Sequence, residues 1–130
     1  WALVRRGEID YLAPSYDHAA SLGRNESDVS RAARLSTPDP GYTVQAYANR
    51  ARSAFYESEQ ATKPMLTMDV FAAVLDRIPT SRVWLDSLSR VAPEEFDRIL
   101  ERVPSERISK VARAFALTIL THNRERLLCL

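Results

Sequence analysis

The chain has 130 residues, of which 45% are hydrophobic and 27% are charged, the composition of an ordinary globular domain. Its formal net charge of +1 gives no support for direct nucleic-acid binding or for a membrane-surface protein. No apolar stretch approaches the roughly 18 residues that a membrane span needs. The one cysteine, Cys129, cannot form an internal disulfide. We therefore expect a single domain over residues 1–130, in a reducing, cytoplasmic setting.

The first twelve residues, WALVRRGEIDYL, predict a β hairpin. Short apolar runs flank a turn that contains Gly7, and such a pattern is a hairpin signal. Two strands are only marginally stable in water on their own, so the hairpin is expected to pack on the helices or on a part of the protein outside this chain. Because the chain starts at Trp1, without Met and directly in a strand pattern, we expect it to be a piece of a longer polypeptide.

The rest of the chain predicts helices separated by proline-containing breaks. Ser27 and Asp28 are expected to cap a helix that runs through Leu35, and Thr43 is expected to cap a helix over about 44–56. Later helices are expected to begin at Met68 (capped by Thr67), Ser81, Pro93 and Pro104, and the last should run to about Arg126.

Apolar residues spaced three or four apart predict one buried face on each helix. Phe71 and Trp84 lie within such stripes and are expected in the core. The residues predicted to be buried on the helix over 44–56 are Val44, Tyr47, Ala48, Ala51 and Phe55. Those on the last helix are Ile108, Val111, Ala112, Phe115, Ile119 and Leu120. The expected fold class is mainly α, a short N-terminal β hairpin followed by a helical bundle, and not a parallel-sheet enzyme fold.

The stretch LAPSYDHAASLG, residues 12–23, contains the strongest candidate for chemistry. Asp17 follows a predicted strand and precedes a predicted helix, where one carboxylate can hold a hard cation such as Mg²⁺ together with phosphate oxygens. On local sequence alone, an aspartate that caps the next helix is the favoured alternative. The adjacent His18 does not form a catalytic pair with Asp17 on this pattern, and a structural or polar role is favoured.

Other polar residues give weaker signals. His122 is expected to be solvated near a helix end, and two histidines without a third ligand at helical spacing argue against a zinc site. Arg50 and Arg52 are expected on one helix, where a solvated face is favoured over a phosphate or peptide site. The alternating charges of residues 97–113 are typical of an exposed, salt-bridged face. The sequence contains no glycine-rich phosphate-binding motif.

The segment from Leu12 to Gly23 resembles a characteristic segment of HipA-like protein kinases, bacterial Ser/Thr kinases of which several are toxins of toxin–antitoxin pairs. In that family an L-x-P-x-Y-D segment follows a strand pair, and its aspartate binds the Mg²⁺ that bridges the ATP phosphates. The resemblance implies that Asp17 binds Mg²⁺ and the nucleotide, and that Pro14 and Tyr16 shape the turn that aims it. It also implies that the helices form the family's all-helical C-terminal lobe.

The function implied by the resemblance is transfer of the ATP γ-phosphoryl group to a hydroxyl of a protein substrate, with an antitoxin as a possible partner. The family's catalytic-loop aspartate, metal-binding asparagine and phosphate loop lie upstream of the hairpin, and phosphoryl transfer needs these parts together. We therefore expect the segment alone to be catalytically silent. The alternatives are a non-enzymatic helical module that binds a partner such as an antitoxin, and a small nucleic-acid-binding helical domain, against which the balanced charge argues.

Overall fold

The computed structural model describes the backbone of residues 3–12 and 21–130. Within these ranges the chain is mainly helical, with a two-stranded β hairpin ahead of six α helices, which confirms the expected mainly α class. The strands are β1 Leu3–Arg6 and β2 Ile9–Leu12, and the helices are α1 Asp28–Ser36, α2 Val44–Asn49, α3 Thr67–Arg77, α4 Val83–Ser89, α5 Pro93–Glu101 and α6 Lys110–Leu128. None of the described helices is long and apolar enough to cross a lipid bilayer.

The hairpin is antiparallel, and its register pairs Val4 with Tyr11 and Arg6 with Ile9. Gly7 makes the turn with a φ of 65°, a conformation that glycine adopts without steric cost. Directly paired residues share a face of the ribbon, so Val4, Ile9 and Tyr11 lie on one face together with Arg6, and Ile9 is 57% exposed. Within the described residues neither strand contacts a helix. The expectation that the hairpin packs on the helices is therefore wrong for this part of the chain.

Side-chain caps begin three of the helices. The hydroxyl groups of Ser27, Thr43 and Ser109 each accept a hydrogen bond from the backbone amide three residues later, which satisfies one of the free amides at a helix start. The predictions for Ser27 and Thr43 are confirmed. Thr67 is not a cap, because it is the first helical residue of α3 and its hydroxyl donates to the carbonyl of Ala51 at 3.2 Å.

Two helices are shorter than predicted. α2 ends at Asn49, about two turns early, because the following chain pairs with a distant segment: Arg52 forms an antiparallel bridge with Leu66. Phe55 is therefore outside the helix and exposed rather than part of a buried face, and the same holds for Ala51. α6 begins at Lys110, since residues 104–107 form a turn instead of a helical start.

The core lies where α2 meets α6. Val44 and Ala48 of α2 are buried against Phe115 and Ile119 of α6, as the sequence predicts. The ring of Tyr47 packs edge-on to that of Phe115, with 5.5 Å between ring centroids. α6 also contacts α1, α3, α4 and α5, so it is the helix around which the bundle is built.

Phe71 and Trp84 are not core residues, although they lie on apolar stripes. Trp84 is 71% exposed and Phe71 is 45% exposed. They face an apolar groove of about 320 Å³, which is lined by residues of α3 and α4, including Val74 and Leu88, and by Leu127 of α6. In the described part of the chain no further helix covers this groove, and the apolar side of α3 and α4 remains open.

The two aromatic positions provide a matched test of where the core lies. Phe115→Ala should lower the free energy of unfolding by about 3–5 kcal/mol, because the ring is fully buried and its removal leaves a cavity. Trp84→Ala should lower it by less than about 1 kcal/mol, because most of that side chain is already in solvent. Urea unfolding followed by circular dichroism measures both values. Equal losses for the two variants would contradict this placement of the core.

Candidate functional site

Asp17, the candidate metal ligand, lies outside the described residues, as do Pro14, Tyr16 and His18. The structure does describe the chain on both sides of this segment. On the N-terminal side, β2 ends at Leu12. On the C-terminal side, residues 21–27 lead through a turn into α1 and are held by several specific contacts.

The C-terminal end of the segment has a left-handed backbone. Leu22 has a φ of 56° and Gly23 a φ of 75°, and L-residues rarely adopt this region. Leu22 packs against the core, while Gly23 is buried so close to Phe115 that an added Cβ would lie 2.5 Å from Cε1 of the ring. Both the backbone conformation and the lack of space therefore require glycine at the last position of the LAPSYDHAASLG segment.

α1 holds this turn through Arg31. Its guanidinium donates to the carbonyl of Gly23 at 3.1 Å and to Oδ1 of Asp28 at 2.5 Å. The hydrogen bond from the Ser109 side chain, followed by that from Arg31, holds the pKa of Asp28 below its usual value. Ser109 is the cap of α6, so these side chains connect the turn, the start of α1 and the start of α6.

A second arginine of α1, Arg34, joins the same turn to α2. Its guanidinium carbon lies 4.3 Å from the ring centroid of Tyr42 and 5.0 Å from that of Tyr47, within the range of a cation–π interaction. Its Nε donates to Oε2 of Glu26 at 3.2 Å. The hydrogen bond from Ser30 is the largest cause that lowers the pKa of Glu26, and Arg34 lowers it further against the opposing effect of burial.

A cleft of about 410 Å³ lies beside this turn. Ser21, Leu22 and Arg24 of the turn line it, together with residues at the start of α1 and residues 107–109 ahead of α6. Arg24, Arg31 and Arg107 give the cleft three cationic groups, and Asp28 gives it one carboxylate. These arginines could not be grouped from the sequence, because Arg24 and Arg107 are more than eighty positions apart in the chain.

The other arginine candidates are not brought together as one site. Arg50 follows the end of α2 and donates to the carbonyl of Gly41 at 3.1 Å. Arg52 lies outside the helix and donates to the carbonyl of Pro64. The prediction that both lie on one helix is therefore wrong, but both residues are exposed, as the favoured solvated alternative expects.

His122 is half-buried rather than solvated. Its Nε2 lies 2.8 Å from Oδ1 of Asn49, so it connects α6 to the end of α2. Burial lowers the pKa of His122, and the nearby Arg126 acts in the same direction. Among residues 3–12 and 21–130, no three His, Cys, Asp or Glu side chains are placed to hold a metal ion.

The alternating charges between α5 and α6 form ion pairs, as the pattern predicts. Arg113 contacts Oδ1 of Asp97 at 2.7 Å and Oε1 of Glu101 at 2.9 Å. Arg98 pairs with Glu95 one turn away on α5. These side chains are partly exposed, so their contribution to stability is small.

No family model, curated protein or solved structure matches this chain. The family hypothesis therefore depends on the resemblance of the segment from Leu12 to Gly23.

The close contact at Gly23 gives a sharp test. Gly23→Ala should lower the free energy of unfolding by about 2–5 kcal/mol, which combines the cost of a left-handed alanine with overpacking against Phe115. Gly7→Ala is the control, because its φ is also positive but nothing lies within 4 Å of an added Cβ. Gly7 belongs to the hairpin, so the helical unfolding transition should be unchanged. Equal effects of the two substitutions on the helical unfolding transition would contradict the close contact between Gly23 and Phe115.

The hydrogen bonds of Glu26 predict a pH dependence. Its folded-state pKa lies below the ordinary glutamate value of 4.5, so the ionised carboxylate stabilises the fold above that pH, and this contribution is lost as the pH falls through the folded-state pKa. Glu26→Gln should therefore lose less stability than the wild type between about pH 5.5 and about pH 3. Glu57→Gln, at an exposed position outside this network, is the control and should behave as the wild type in urea unfolding across this range.

Proposed function

We propose that this chain is the C-terminal part of a HipA-like protein Ser/Thr kinase and that Asp17 supplies a carboxylate for Mg²⁺. The complete enzyme would transfer the γ-phosphoryl group of ATP to a hydroxyl of a protein substrate. The observation that carries the proposal is the segment LAPSYDHAASLG, with its aspartate between a hairpin and a helical bundle.

The anchoring of the segment supports the proposal. Phosphoryl transfer depends on the position of the metal ligands more than on covalent chemistry of the protein. The segment follows β2 directly, and its last residue, Gly23, is locked against Phe115 by a contact that excludes any side chain. Arg31 binds the carbonyl of the same glycine. The C-terminal end of the segment is thus held against the bundle core, as a positioning role for Asp17 requires.

The ligand that this chain offers fits a magnesium site to which the chain contributes one carboxylate. Mg²⁺ is usually bound through one or two protein carboxylates, several waters and phosphate oxygens of the substrate. Asp17 offers one such carboxylate, and the described residues add no cluster of metal ligands. When bound, the metal would neutralise charge on the ATP phosphates. The role of Asp17 itself would be to bind that cation and fix its position.

The exposed face of the hairpin fits a catalytic centre of which this chain carries only one part. Val4, Ile9 and Tyr11 leave apolar surface in solvent, and the ribbon contacts no described helix. In the proposed enzyme this face would pack on the part of the kinase that carries the catalytic aspartate and the phosphate-binding lysine. The chain by itself would lack those groups and should not phosphorylate a substrate.

The test uses the whole natural polypeptide that contains these residues, incubated with Mg²⁺ and labelled ATP. Asp17→Ala should reduce autophosphorylation or substrate phosphorylation at least about a hundredfold, because one preorganised electrostatic group is lost from the transition state. Asp76→Asn, at an exposed position on α3, is the control and should retain activity. Residues 1–130 alone should show no incorporation of label.

Two results would contradict the kinase proposal. One is full activity of the Asp17 variant, and the other is a natural polypeptide without an Asp-x-x-x-x-Asn catalytic loop ahead of residue 1. Robust phosphorylation by residues 1–130 alone would contradict the expected dependence on upstream parts.

The groove between α3 and α4 favours a second candidate, a non-enzymatic module that binds a partner protein such as an antitoxin. Exposed apolar patches of this kind are typical of protein–protein contact sites, and Phe71 and Trp84 are well exposed there. An inactive natural polypeptide whose binding to a cognate partner is lost in Trp84→Ala, but not in Asp17→Ala, would favour this candidate over the kinase.

A further inference from the structure

The cleft beside the Gly23 turn has an excess of positive charge that the fold does not neutralise. The carboxylate of Asp28 is already bound by Arg31 and by the Ser109 side chain. Arg24 and Arg107 line the same cleft, and within residues 3–12 and 21–130 neither side chain makes a hydrogen bond or ion pair. Two cations are therefore held near one cavity without a counter-ion from the described protein, an arrangement that favours an anionic ligand.

Arg31 also lines this cleft, but most of its hydrogen-bonding capacity is used within the protein. Its terminal nitrogens bind Asp28 and the carbonyl of Gly23, but its Nε is buried and has no partner among the described residues. A buried donor without an acceptor costs free energy. The cleft therefore combines two unpaired guanidinium groups with a third that is incompletely satisfied.

The volume and the lining residues of the cleft indicate which kind of anion would bind there. A guanidinium group presents a planar fork of donors that matches phosphate oxygens, and two such groups suit a dianion better than a single carboxylate. The cleft of about 410 Å³ is larger than a phosphate ion requires, and Leu22, Leu100 and Ile108 supply apolar wall. Such walls suit the organic part of a phosphate ester.

We propose that this cleft binds a phosphate group, either free or carried as a monoester by a phosphorylated Ser or Thr side chain, through Arg24 and Arg107. The bound group connects the turn that follows the Asp17 segment to the loop between α5 and α6. The inference rests on the cleft alone, so it stands or falls independently of the kinase proposal.

The experiment measures the fluorescence anisotropy of a labelled peptide, Gly-Ala-phosphoserine-Ala-Gly, titrated with this chain at about 0.15 M ionic strength, where weak surface attraction is screened. The double variant Arg24→Ala and Arg107→Ala should weaken binding at least about tenfold, because charge-assisted hydrogen bonds are lost. The matched control is Arg82→Ala with Arg90→Ala, which removes the same charge from exposed positions outside the cleft. Its affinity should change less than about twofold.

Competition with inorganic phosphate distinguishes the two sources of the ligand. Displacement of the peptide by millimolar phosphate supports a site that takes the free ion as well, and failure to displace it supports a site for the phosphorylated side chain. Three results overturn the proposal: no binding of the phosphopeptide, equal binding of the unphosphorylated peptide, or equal weakening by the two double variants. Circular dichroism spectra establish that both variants remain folded, which is expected because all four side chains are exposed.

Discussion

The contact between Gly23 and Phe115 is the constraint on which the arrangement of this domain depends. Phe115 has no exposed surface and lies in the N-terminal half of α6, the helix that contacts all the other helices. On one side the ring meets Tyr47 and the buried face of α2, and on the other it meets the backbone of Gly23. One aromatic ring therefore fixes the position of the bundle core and that of the turn after the Asp17 segment.

Polar side chains of α1 also hold the turn that contains Gly23. Arg31 binds the carbonyl of Gly23, and Arg34 lies against two tyrosine rings while it binds Glu26. Lysine would not replace either arginine well, because its single ammonium group lacks the planar fork that bonds in several directions. α1 has no buried residue of its own, and these contacts explain how an exposed, polar helix is still fixed in place. These contacts therefore hold the turn at residues 21–27, which follows Asp17 in the chain.

Local sequence patterns predicted the features that depend on local chemistry. The caps at Ser27 and Thr43, the hairpin with Gly7 in its turn and the buried stripe of α6 all follow from residue type and spacing. The ion pairs of Arg113 follow from alternating charge. The caps and the turn involve groups that lie near one another in the chain, and the α6 residues lie on one apolar stripe, whereas Arg113 pairs with residues 12 and 16 positions earlier on α5.

Features that depend on distant partners could not be predicted in this way. The early end of α2 results from the pairing of Arg52 with Leu66, and no helix-breaking residue marks it. An apolar stripe indicates that a helix has a face suited to burial, but not that the same chain covers it, and Trp84 is exposed for this reason. The cleft that gathers Arg24 and Arg107 exists only once α1 and the loop ahead of α6 are folded together.

The independence of the hairpin has a consequence for how the domain unfolds. Because the ribbon shares no contacts with the described helices, its backbone hydrogen bonds can break without disturbing the packing around α6. Its amide protons should thus exchange with solvent through local fluctuations, whereas those of α6 exchange only when the bundle opens as a cooperative unit. Among the described residues, the hairpin and the helical bundle would therefore form two units with very different protection from hydrogen exchange, and a binding partner that contacts both would merge them into one.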